Sequence, residues 1–100
     1  MKATLNGTVL AQADKKDLVR IEGNWYFPPT SLNESLFETS PTQYHCAWKG
    51  DAKYFNARLD DGEHKDVAWS YPDPLAGAAN RVGKDFSNYV AFDPSVEITE

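Results

Sequence analysis

The stretch TQYHCAWKGDAKYFN, residues 42 to 56, sets His45 beside the only cysteine, Cys46, and then places Trp48, Lys49, Gly50 and Tyr54 within a few positions. A thiol next to an imidazole is the pairing expected of an activated nucleophile. Neighbouring residues of an extended segment point to opposite faces, however, and that separates the thiol from the ring. The expected arrangement puts Tyr44, Cys46 and Trp48 on one face and His45, Ala47 and Lys49 on the other. Cys46 then packs as a small hydrophobe. Lys49-Gly50 has two readings: a tight turn with a solvated lysine, or a lysine lining an aromatic pocket, where it meets an anionic or carbonyl group. It is not a phosphate-binding loop, because that motif needs several glycines and a hydroxyl residue after the lysine, and Asp51 follows Gly50 here.

Other chemistries find less support. Phosphoryl transfer requires carboxylates that hold magnesium near a phosphate cradle. The one adjacent acidic pair, Asp60-Asp61, falls in an expected hairpin turn, where Asp is favoured for local hydrogen bonding. His45 and His64 lack a neighbouring nucleophile at a recognisable elbow. Two histidines alone do not define a metal site. A single cysteine makes neither an internal disulfide nor a paired-cysteine zinc knuckle. No metal is expected, and no cofactor is identified.

Trp25, Tyr26, Tyr44, Trp48, Tyr54, Trp69 and Tyr71 are many amphipathic rings for one small domain, and each needs a partner for its polar tip when buried. The reading they favour is a small-molecule-binding site lined by Tyr26, His45, Lys49, Tyr54, Trp69 and Tyr71. Two alternatives stay open. One is an enzyme that uses His45, Lys49 or Tyr54 as acid, base or electrostatic stabiliser. The other is an interaction module whose exposed aromatics serve as anchors.

The elements that must position these residues read as short strands separated by turns. Asn6-Gly7 precedes a strand over Thr8 to Ala13, and Asp14 to Asp17 is a turn. Leu18 to Glu22 and Trp25 to Phe27 form a hairpin about Gly23-Asn24, which directs Tyr26 to the core on the face of Val19. Pro28-Pro29 stops that strand. Thr30 to Ser40 reads as loop with at most one helical turn. A second hairpin runs from Ala52 to Leu59, turns at Asp61-Gly62 and returns from His64 to Tyr71. That register sets Tyr54 opposite Trp69 and Ala52 opposite Tyr71 on one face. Lys53, Phe55, Ala57, Ala68 and Ser70 occupy the other face, a weaker apolar set. Leu75 to Asp85 has the composition of a short helix cut by Gly77 and Gly83, and Tyr89 to Phe92 is the last strand. No helical period is sustained, so the class is mainly antiparallel β with minor helix.

One hundred residues suit a single domain, with a core large enough to need no metal or disulfide. Apolar residues at 41% and charged residues at 25% fit a folded globular chain. A net charge of -5 without a basic cluster argues against nucleic acid as a partner. No apolar run is long enough for a membrane span or a signal peptide, so the expectation is no membrane partner and a cytoplasmic location. The oligomeric state is left open.

The blocks GTVLAQAD, IEGNWYFPP, HCAWKGDAKYF, DVAWSYPDP and YVAFDP, in this order from about Gly7 to Ile98, resemble the DUF427 family, and the resemblance treats residues 1 to 100 as one domain. It implies a small β-rich fold similar to the Mss4-like, or β-tent, architecture, in which sheets meet at an angle and can enclose a pocket. The family's role is unassigned. The residue after the cysteine is often proline in the family and is Ala47 here. Many Mss4-like relatives hold zinc through paired cysteines, which this chain lacks.

Overall fold

The computed structural model describes every residue from Met1 to Glu100. Nine strands and one short helix follow each other along the chain. They are β1 (Lys2–Leu5), β2 (Thr8–Gln12), β3 (Val19–Ile21), β4 (Asn24–Tyr26), β5 (Phe37–Cys46), β6 (Gly50–Leu59), β7 (Gly62–Ser70), α1 (Ala78–Val82), β8 (Val90–Phe92) and β9 (Glu97–Thr99). All pairings are antiparallel, in sheets ordered β2-β1-β9, β3-β4 and β5-β6-β7-β8. The mainly β class with one minor helix holds, and α1 lies between Gly77 and Gly83 as the composition indicates. No helix is long and apolar enough to cross a membrane.

Several expected boundaries move. Strands β1 and β9 escape sequence reading because three or four residues are too few to display a period of two, and, at Lys2–Leu5 and Glu97–Thr99, turn residues bracket them on one side only. The Thr30 to Ser40 loop shrinks to two 3-10 turns, Pro29–Ser31 and Glu34–Leu36, and β5 already begins at Phe37. Its polar sequence FETSPTQ gives no alternation, because most of the strand is exposed. The first hairpin turns at Glu22-Gly23, not Gly23-Asn24, since Ile21 pairs with Asn24 and Val19 with Tyr26. Both turn residues take positive φ, 52° and 83°, the combination a two-residue β-turn of this hand requires. The one-residue correction leaves Tyr26 on the face of Val19 and Ile21.

The second hairpin turns at Asp60-Asp61, not Asp61-Gly62, because Leu59 pairs with Gly62. Even so, Tyr54 still meets Trp69. The discrepancy is absorbed between Ala57↔His64 and Phe55↔Ala68, where β7 carries two more residues than β6. Strand β5 does the same on the other side of β6, between Thr39↔Phe55 and Gln43↔Lys53. The two irregularities are bonded to each other. Asp66, at φ 53°, accepts hydrogen bonds from Ser40 Oγ at 2.5 Å and Thr42 Oγ1 at 2.7 Å, and its amide donates to Asn56 Oδ1 at 2.9 Å. These bonds hold the Asp66 carboxyl below its ordinary range, the Ser40 contact most of all.

Strands β6 and β7 are covered on both faces. One face carries Phe55, Ala57 and Ala68 into a core with Leu5, Leu10, Phe27, Val90 and Phe92. The opposite face carries Ala52, Trp69 and Tyr71 against Val19, Ile21, Tyr26, Phe86 and the start of α1. The set Lys53, Phe55, Ala57, Ala68 and Ser70 therefore faces the larger core, although it is the less apolar of the two in sequence. Mutual bonds between Phe27 and Val90, at 2.8 and 2.9 Å, join the chain beyond β4 to the β8 edge of the large sheet.

The β5–β6 turn is packed from outside. Gly50 has φ 109°, and a Cβ there would lie 3.3 Å from the Asp73 carbonyl oxygen and 3.4 Å from Leu75 Cγ. The Leu75 amide donates to the Lys49 carbonyl at 3.0 Å. Gly50→Ala is expected to cost about 1–3 kcal/mol of stability through backbone strain and the displaced 73–75 segment. Urea denaturation should show a lower midpoint with an unchanged slope; an unchanged midpoint would mean that the turn does not need this packing.

Candidate functional site

Strand β5 ends at Cys46, which pairs with Gly50, so Ala47, Trp48 and Lys49 form the turn. Strict alternation stops there, which corrects the expected split of Trp48 and Lys49 onto opposite faces. The Lys49 ammonium instead sits 5.3 Å from the Trp48 ring centroid and 5.1 Å from that of Tyr71. Lys49 is 7% exposed and ion-paired with Glu22 from the β3–β4 turn. A glutamate is an unusual choice at a positive-φ turn position, where Asn, Asp or Gly costs less. Its carboxylate is the only acidic group bonded to this buried ammonium.

Tyr26 and Tyr71 complete the cluster, packed edge-on at 6.3 Å against the two sides of the buried Phe86 ring. Trp69 Nε1 donates to the Tyr26 hydroxyl at 3.1 Å, and Tyr54 stacks on Trp69 at 6.1 Å, tilted by 36°. Burial opposes the Lys49 charge, but the Glu22 hydrogen bond and the neighbouring phenols outweigh it, so its pKa is raised. Burial also raises Tyr26 and Tyr54 above the phenol's ordinary value. Tyr71 is pushed up to about 12 by burial, with the Lys49 charge pulling the other way.

Of the six residues singled out in the sequence, the fold brings together Tyr26, Lys49, Tyr54, Trp69 and Tyr71 through these contacts. His45 stays apart. Its Nδ1 lies 2.7 Å from Asp51 Oδ1 on the exposed end of the β5–β6 ribbon, beside a shallow depression formed with Gln43, Tyr44 and Ala52. Lys49, Tyr26 and Tyr71 line none of the five principal clefts. Their polar atoms are spent on each other and on Glu22. No three His, Cys, Asp or Glu side chains converge as metal ligands would.

A cleft with aromatic lining lies on the other face of the large sheet. It has a volume of about 350 Å³ and is floored by Lys53, Phe55, Ser70 and Val90. Its wall is the 29–37 segment, contributing Leu32, Glu34 and Phe37. The rings here are phenyls: Phe37 packs on Phe55 at 6.3 Å and on Phe92 at 6.4 Å. Lys53 and Ser70 are cross-strand partners, and Ser70 pairs in turn with Val90. Ser70 is 2% exposed as a residue, and its hydroxyl, which no side-chain hydrogen bond of the chain engages, is open to the cleft and not sealed from solvent. Lys53, Phe55 and Ser70 were visible in the sequence as one face of the second hairpin. What singles them out is the wall from residues 29 to 37, which sequence reading left as loop.

A family model described as a domain of unknown function, DUF427, matches residues 1 to 100, the whole chain. No curated protein matches it.

Two predictions follow from the Lys49 cluster. Glu22→Ala leaves a buried ammonium without its anion and should cost about 1–3 kcal/mol, a range kept low because Glu22 itself is half exposed. Adding Lys49→Met to that variant should restore most of the loss, and a double variant no more stable than Glu22→Ala alone would refute the pairing. Tyr71 favours its neutral form in the fold, so its stabilisation is full below the ordinary phenol value of 10.0 and lost as pH rises through about 12. Denaturation series across that window should show a shallower alkaline decline for Tyr71→Phe than for the parent.

Proposed function

The chain belongs to the DUF427 family, and on that premise we propose that it is a small-molecule-binding domain whose site is the phenyl-lined cleft between the large sheet and the 29–37 segment. The observation that carries this reading is the Ser70 hydroxyl, which reaches the floor of a partly apolar cleft without a hydrogen-bond partner from the chain. A hydroxyl that opens into a cleft and is not claimed by the chain is a donor and acceptor for a ligand atom. A volume of about 350 Å³ falls within the range of small-molecule sites. An aromatic pocket with a lysine at its wall is the arrangement the sequence favoured. In this reading Phe37, Phe55 and Lys53 fill the roles first given to Tyr54, Trp69, Tyr71 and Lys49. Three sheets meeting around two cores also suit the pocket-enclosing β-tent architecture implied by the family resemblance.

The Lys49 cluster is better suited to fixing the β5–β6 turn than to meeting a substrate, because the Lys49 ammonium is spent on Glu22 and the Tyr26 hydroxyl on Trp69. An interaction surface has less in its favour: the exposed large hydrophobic residues are only three, Val9, Tyr44 and Leu75, on β2, on β5 and in the loop before α1.

A two-dimensional amide NMR screen of the full chain against a broad metabolite set tests the proposal. Shifts are expected to gather at Leu32, Phe37, Phe55, Ser70 and Val90. A screen in which nothing shifts those amides at millimolar ligand, or in which hits gather around Lys49 instead, would overturn it.

A further inference from the structure

We propose that the ligand of this cleft is an organic anion, a carboxylate carried on a flat or aliphatic body, with its head group held between Lys53 and Ser70. This rests on the cleft reading above and goes further by fixing the charge and the orientation. Lys53 and Ser70 face each other across the β6–β7 ladder, so their Cβ atoms stand roughly 5 Å apart. One side chain is a cation with three donors, and the other is a hydroxyl that is free to donate. An ammonium and a hydroxyl on neighbouring strands of one ladder rung can each donate to an oxygen of the same carboxylate, a charge-assisted pairing that a cation could not make with Lys53.

Lys53 is also uncommitted. None of the five ion pairs of the chain includes it, and its ammonium lies 5.5 Å from the Phe55 ring centroid. By contrast, Lys49 is spent on Glu22. The row behind the two donors is Phe55, Ala68 and Phe92, with Phe37 packed over it. A ligand with its head at Lys53 and Ser70 therefore has its body against phenyl rings. Asn88, held at φ 64°, adds an amide at the rim.

Glu34, on the 3-10 turn of the opposite wall, is the single carboxylate lining the cleft. It opposes an anion and would favour a cation. Glu34 and Lys53 are both exposed, so solvent screens both charges alike, and the hydroxyl of Ser70, fixed in the sheet beside Lys53, places the head group on the lysine side.

The test compares phenylacetate, phenylacetamide and 2-phenylethylamine, three ligands of one shape and three charges, by amide NMR titration of the full chain. Phenylacetate should bind at least about fivefold more tightly than the amide and more tightly still than the amine. Lys53→Gln should abolish that preference, and Ser70→Ala should weaken phenylacetate more than it weakens the amine. Glu34→Gln should strengthen phenylacetate binding. If the amide or the amine binds the cleft as well as the acid does, the charge assignment fails and the cleft reading stands. If none of the three shifts the cleft amides, the charge assignment fails and the metabolite screen alone decides the cleft reading. The Glu34 and Lys53 substitutions lie on exposed side chains, so these arms do not depend on tolerance of a core change.

Discussion

Burial of β6 and β7 on both faces is the constraint from which the rest of the molecule follows. A strand that meets a core on each side must assign every second residue to a different environment, because successive side chains leave the sheet in opposite directions. Along β7 and the residue that follows it, Ala68 and Ser70 go to one side and Trp69 and Tyr71 to the other. Along β8, Val90 and Phe92 are parted from Ala91 in the same way. The hairpin β3–β4 closes one side, and the β2-β1-β9 sheet with the 29–37 segment closes the other.

The two sides differ in chemistry. Tyr26 and Trp69 bond each other, and Trp48 and Tyr71 lie against the ammonium that pairs with one carboxylate. Phe27, Phe37, Phe55 and Phe92 gather on the other side. Burying an indole N–H or a phenol without a partner costs free energy, and a phenyl ring carries no such cost. The partition therefore leaves polar groups on the phenyl side at the cleft, Lys53 and Ser70 among them.

Much of the fold was legible in the sequence because it rests on local signals. The hairpins about residues 22–24 and 60–62, the stop at Pro28-Pro29 and the short helix between Gly77 and Gly83 all declare themselves through turn residues. Each hairpin turn was displaced by one position, because Gly23 and Gly62 show that a turn is near without fixing which pair forms it. Strands β1 and β9 and the first half of β5 were hidden: two are very short, and β5 is largely exposed and so lacks a buried face to print a pattern. The grouping of Tyr54, Trp69 and Tyr71 could be read from register alone. That Lys49 pairs with Glu22 could not, since the two meet only when distant hairpins pack. The cleft wall was likewise invisible, because it comes from a segment with no periodic signal.

The paired irregularities that flank β6 carry one more implication. Each adds two residues to its strand, and an even number preserves which side of the sheet every later side chain enters. A single inserted or deleted residue would send Trp69 and Tyr71 among the phenyls and Ser70 among the phenols. Length variation in these two strands, whether by natural drift or by engineering, should therefore be tolerated in steps of two and rejected in steps of one.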